Sequence, residues 1–192
     1  MLVLTVLPEA VLAGNGPMGP TTMYGETYDL AYITFYQIDS TGEVIRNEDY
    51  SIKNRYDVYS ASKVNNSALT GAVYDKGSNT LTITNLVQPS LVLETNVMGD
   101  DFTLRVSGSC ELAQLCIWGD GYGGTLKIEG NGTLTVNKSK IRDNAIILYA
   151  ERSTAALNIG KDVNLNLYAR KNVAEITYTA VKDKAKAVIC GN

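Results

Sequence analysis

Four aliphatic positions recur at a fixed interval of 31 residues: Leu126, Ile128, Leu134 and Val136 return as Leu157, Ile159, Leu165 and Leu167. Side chains alternate faces along a strand, so a slip of one residue would carry all of them to the opposite side. The stretches that hold them, GTLKIEGNGTLTVN (124–137) and AALNIGKDVNLNLY (155–168), each read as two short strands around a corner. A further step of 31 from Leu157 and Ile159 reaches Val188 and Cys190. A third segment repeats at 30, from Cys116 and Trp118 to Ile146 and Leu148, then to Ile176 and Tyr178. The same step backward from Leu134 and Val136 finds Leu104 and Val106. Three strands per turn, wound about three times, is the pattern of a parallel β-solenoid, whose equivalent side chains stack at the inter-strand spacing of about 4.8 Å.

All four prolines, Pro8, Pro17, Pro20 and Pro89, precede this region, as expected where every later N–H is wanted for pairing on both sides. The competing architecture is an antiparallel sandwich, which short strands separated by turn residues also fit. Asn131 and Gly132 suit a two-residue hairpin turn, but the equivalent corner one repeat later is Lys161, Asp162 and Val163. Val163 resists the positive φ that such a turn demands. The expected fold is therefore all-β, a parallel β-solenoid of about three coils over 79–192 with a β-rich N-terminal extension or cap over 26–78. Within that extension Tyr32–Ile45 reads as a hairpin turning at Ser40, Thr41 and Gly42. Leu91 and Leu93 stand 35 residues before Leu126 and Ile128, so the opening coil is expected to be irregular. Val188 and Cys190 begin a coil that Asn192 leaves incomplete, which predicts a longer natural protein because solenoid ends need caps.

The chain has no histidine among its 192 residues, which removes the commonest general base near neutral pH and any Ser-His or Cys-His nucleophile. Its cysteines, Cys110, Cys116 and Cys190, lack metal-ligand spacing and read as small apolar core residues, with a Cys110–Cys116 disulfide as the alternative. The formal net charge of -3 gives no footprint of a nucleic-acid binder. The charge is uneven: residues 1–125 hold six Lys and Arg against fourteen Asp and Glu, whereas 126–192 hold eleven against six. The positive end coincides with the repeats.

MLVLTVLPEAVLA, residues 1–13, resembles the end of a secretory signal peptide, with a buried N-terminal strand as the other reading. Residues 14–25, rich in Gly, Pro and Thr, read as a linker. No run approaches the length of a transmembrane helix. The expected location is secreted or at the cell surface.

The segment GAVYDKGSNTLTITNL (71–86), followed by GTLKIEGNGTLTV, resembles a loosely defined group of exported β-helical proteins of Gram-positive gut and cellulolytic bacteria. The resemblance covers roughly residues 70–190 and its motifs are structural. It implies right-handed coils and a carbohydrate-binding-domain label, and it carries over no site residue.

Three groups of side chains are candidates for function. Lys138, Lys140 and Arg142 occupy one connection, and Arg170 and Lys171 its equivalent a coil later; Arg152, Lys182 and Lys184 form a second stack. Stacked coils would align them into a positive edge facing successive carboxylates of an acidic polysaccharide, while the plainer reading is a set of solvated corners that discourage misregistered pairing. Trp118, Tyr122, Tyr149 and Tyr168 are candidate platforms for sugar rings. The 30-residue register would turn Trp118 inward, whereas a register of 31 would place Leu115 and Ile117 inside instead. Asp100, Asp101 and Asp120, in the turns MGDD and GDGYGG, offer oxygens for Ca2+ but lack the calcium-loop pattern. Polysaccharide lyase or glycosidase chemistry would need a defined pair of carboxylates or a base beside a cation, and no local signature picks one out. The expected function is thus a non-catalytic module binding polysaccharide or cell-wall glycan, pectin-like if acidic. The alternative is a structural or adhesin unit with no ligand of its own.

Overall fold

The computed structural model describes residues 31–60, 68–96, 101–119, 124–150, 155–178 and 186–187. The signal-peptide reading of 1–13, the linker at 14–25, and the assignments made for Asp100, Asp120, Tyr122, Arg152, Lys182, Lys184, Val188 and Cys190 all lie outside them.

Runs rich in β-branched and aromatic residues, bounded by Gly, Asn and Asp, become strands, and no helix occurs among the described residues. In chain order they are β1 (Tyr32–Gln37), β2 (Arg55–Ser60), β3 (Ala72–Asp75), β4 (Thr80–Thr84), β5 (Val87–Asn96), β6 (Phe102–Ser107) and β7 (Ser109–Gly119). There follow β8 (Gly124–Gly130), β9 (Thr133–Val136), β10 (Asn144–Ala150), β11 (Ala155–Ile159), β12 (Asn164–Leu167), β13 (Asn172–Tyr178) and β14 (Lys186–Ala187). They form two mixed sheets. One runs β12-β9-β7-β5-β1-β2, with β10 joined to β7 and β13 to β10; the other runs β14-β11-β8-β6-β4-β3. Pairing is antiparallel where β1 meets β2 and β5 and where β3 meets β4, and parallel elsewhere among the strands.

The interval of 31 is realised as in-register parallel pairing: Leu157 on Leu126, Ile159 on Ile128, Leu165 on Leu134 and Leu167 on Val136. Asn131 and Gly132 make no hairpin, because β8 and β9 belong to different sheets. Neither Gly132 nor Val163 has a positive φ, so the valine at the equivalent corner is accommodated and becomes buried.

The step of 30 is corrected in both places where it was expected. Toward the N-terminus the interval is 24: Leu126 pairs with Phe102, Ile128 with Leu104, Leu134 with Cys110 and Val136 with Leu112. The cause is connection length at one corner, since β7 continues through it without a loop where seven residues, 137–143, separate β9 from β10. In the third segment Leu115 pairs with Ile146 and Ile117 with Leu148, a step of 31, and Leu148 then pairs with Ile176 after 28. Along β7, Leu112, Ala113 and Gln114 are all buried, and the inward phase passes from Cys110 and Leu112 to Leu115 and Ile117 across that corner. Leu93 pairs with Leu115, so Leu91 and Leu93 are not counterparts of Leu126 and Ile128.

One apolar core lies inward of both sheets and includes Phe35, Leu81, Leu93, Leu104, Leu126 and Leu134. A smaller cluster, Tyr36, Ile38, Val92, Ala113 and Cys116, lies apart from it, with Val44, Ile52 and Ile141 packed against it. Cys110 and Cys116 are free, buried and divided between the two clusters, which supports the core reading and overturns the disulfide. The expected turn after Tyr32 is present, with Gly42 at φ 93° and a bridge between Ile38 and Val44, although β1 takes its long pairings from β2 and β5.

Buried Asn137 holds the corner between β9 and β10 in left-handed backbone (φ 57°), a conformation asparagine tolerates better than most residues. Its Nδ2 donates to the carbonyls of Arg142 (2.8 Å) and Tyr168 (3.0 Å), and its Oδ1 accepts from the Arg142 N–H (3.1 Å). The bond to Tyr168 ties this corner to the next.

Candidate functional site

The connection from β9 to β10 and its successor from β12 to β13 lie directly against each other. The N–H of Arg170 donates to the Arg142 carbonyl (3.2 Å) and that of Lys171 to the Asp143 carbonyl (2.9 Å). Together with the bond from Asn137 to Tyr168, these contacts gather Lys138, Lys140, Arg142, Tyr168, Arg170 and Lys171 on one double corner.

The six side chains are not equivalent. Lys138 and Lys140 are exposed and form no ion pair among the described residues. Tyr168 is exposed to 37%. Arg170 and Lys171 both clamp Asp143, each at 2.6 Å, and these hydrogen bonds hold its carboxyl below the usual range, Lys171 contributing most. Arg142 turns inward, donating from Nε to Gln114 Oε1 (2.9 Å) and from Nη1 to the Gly42 carbonyl (2.5 Å). It pins the turn after β1 to this corner, so it serves packing rather than an outer ridge. Asp143 was missed in the sequence because nothing local distinguishes it from any other turn aspartate. On the other sheet Glu129 pairs with both Arg105 and Lys127.

The remaining candidates are dispersed. Trp118 is half-buried and pairs with Asn96 on one side and Tyr149 on the other, in the register that puts Leu115 and Ile117 inside. Asp101 is exposed, with its carbonyl accepting from Asn79 Nδ2 (3.0 Å). Among the described residues no three metal-ligating side chains are gathered, and no helix is long and apolar enough to cross a membrane.

A second cluster has no counterpart in the sequence reading. Glu94, 5% exposed, accepts a hydrogen bond from Tyr32 Oη (2.6 Å) at Oε1, while its Oε2 has no partner. Thr34 lies opposite Glu94 on β1, and Cys116 beside it on β7. Burial pushes the carboxyl up to about 7 despite opposing help from the phenols of Tyr32 and Tyr36 and from Arg55. The Tyr36 hydroxyl lacks hydrogen-bond geometry to any partner, and both polar atoms of buried Asn96 are unsatisfied. In the stretch LVLETN nothing local marks Glu94 as a buried carboxyl. The docking of β1 alongside β5 alters its surroundings, and no local signal announces that.

No protein family, curated protein or solved structure matches the chain.

Proposed function

We propose that this chain is a right-handed β-solenoid module, exported to the medium or the cell surface, that binds an acidic polysaccharide on the double corner bearing Lys138, Lys140, Tyr168, Arg170 and Lys171. The single observation that carries the reading is the hydrogen-bonded juxtaposition of two cationic turns, with one carboxylate, Asp143, set among them. In-register parallel pairing through β4, β6, β8 and β11 supports the solenoid. Strands one level apart stand about 4.8 Å from each other. A flexible uronate polymer laid across the corner would meet lysine and arginine ends in succession, and Tyr168 offers a ring face for a sugar.

The rival is a structural unit of a larger surface protein. It is favoured by the work Arg142 and Asp143 do in fastening turns together.

Affinity electrophoresis through polygalacturonate separates the two. Binding should weaken steeply as salt shortens the screening length from about 8 Å to about 3 Å. Replacing Lys138, Lys140, Arg170 and Lys171 with Gln should reduce affinity by about 30-fold, at roughly 0.5 kcal/mol for each exposed cation. Unchanged migration of wild type in any acidic glycan at low salt would leave the structural unit as the function. Release of soluble products would instead indicate a degrading enzyme.

A further inference from the structure

We propose that Glu94 is a protonation switch for the seating of β1 on β5: the neutral carboxyl holds the strand closed, and ionisation loosens the β1–β2 pair.

The geometry is that of a carboxyl built to be neutral. Its side chain is buried, one oxygen is held by Tyr32, and the other makes no hydrogen bond, the nearby Tyr36 hydroxyl being out of line for one. It forms no ion pair among the described residues. A neutral carboxylic acid leaves one O–H without an acceptor there, whereas a carboxylate would strand a full charge held by a single hydrogen bond, which costs far more.

The titratable and charged groups around it come from three sides. β1 contributes the phenols of Tyr32 and Tyr36, both shifted upward mainly by burial and therefore neutral. β2 contributes Arg55, which is already bound by Asp57 at 2.6 Å. β7 contributes Cys116, whose thiol burial also pushes up. Arg142 acts on Tyr36 and Cys116, but its guanidinium is engaged by Gln114 and the Gly42 carbonyl. Among the described residues no cation forms an ion pair with Glu94, and Arg55, the one that acts on it, is shared with Asp57.

The strand that must yield follows from the register. Glu94 faces Thr34 and bonds to Tyr32, so β1 is the element in direct contact with the charge. Moving β1 away from β5 would bring water to Oε2 without disturbing the parallel pairs β8–β11 and β9–β12, which lie on other strands.

The sign is set by the raised value. The closed form holds its proton up to about pH 7, whereas an opened, solvated Glu94 returns to the ordinary 4.5. Stability of the closed seat is therefore full below the ordinary value and is lost as pH climbs from there through 7. Between about pH 5 and pH 8.5 the opening equilibrium of β1 should rise by about 70-fold.

Hydrogen exchange of the whole chain, corrected for intrinsic rates, reads this directly. The expected result is that amides of Tyr32–Gln37 lose protection by about 70-fold across that range while those of Gly124–Gly130 do not, and that Glu94→Gln abolishes the pH dependence. Equal profiles for wild type and variant, or equal loss in both segments, would overturn the proposal. Should the variant fold poorly, carboxyl NMR of wild-type Glu94 decides: a midpoint near 7 supports the switch, and one near the ordinary 4.5 overturns it.

Discussion

Gly130→Ala is expected to lower stability by on the order of 4 kcal/mol, read as a fall in the urea midpoint with an unchanged slope. Gly130 ends β8 at φ 120°, a region closed to L side chains. A Cβ there would stand 2.1 Å from the Val106 carbonyl oxygen and 2.9 Å from the Val106 carbonyl carbon and amide nitrogen. All are backbone atoms of the neighbouring parallel strand, so nothing flexible can give way. The same carbonyl accepts the Gly132 N–H at 3.2 Å, so displacing it also weakens the next corner. A change below about 1 kcal/mol would mean that β6 and β8 are not packed this closely.

The second large effect concerns which face is inward. Leu126 is fully buried and sits in register between Phe102 and Leu157. Leu126→Ala should cost about 3–5 kcal/mol, because neighbours held in strands on both sides cannot collapse into the space. Lys127, the next residue, points outward to its pair with Glu129 and is half exposed. Lys127→Ala should therefore change stability by no more than about 0.5–1 kcal/mol. Similar costs for the two variants would show that the strand is placed one residue out of register.

The contrast between these two positions was legible in the sequence, since it follows from four aliphatic residues kept in phase over 31 positions. The intervals of 24 and 28 were not. They depend on how many residues each corner consumes, and β7 consumes none where the path from β9 to β10 spends the residues around Asn137 on a loop. Trp118 stayed ambiguous for the same reason, because the phase change at Ala113 leaves no mark in residue type. The gathering of Lys138, Lys140, Arg170 and Lys171 could be anticipated, as charges at equivalent corners must meet when the corners stack. Which cation turns inward could not: Arg142 is selected by a carbonyl at Gly42, 100 residues earlier in the chain. Glu94 was the least legible, for its surroundings depend on β1, a strand 62 residues distant at its Tyr32 contact.

The most direct test of the whole account is a methyl NOE spectrum of selectively leucine-labelled protein. Parallel stacking in the 31-residue register places the methyls of Leu126 against those of Leu157, and those of Leu134 against Leu165. Cross-peaks for both pairs are the predicted result. Their absence, with Hα–Hα contacts joining β8 to β9 as in a hairpin, would contradict the account.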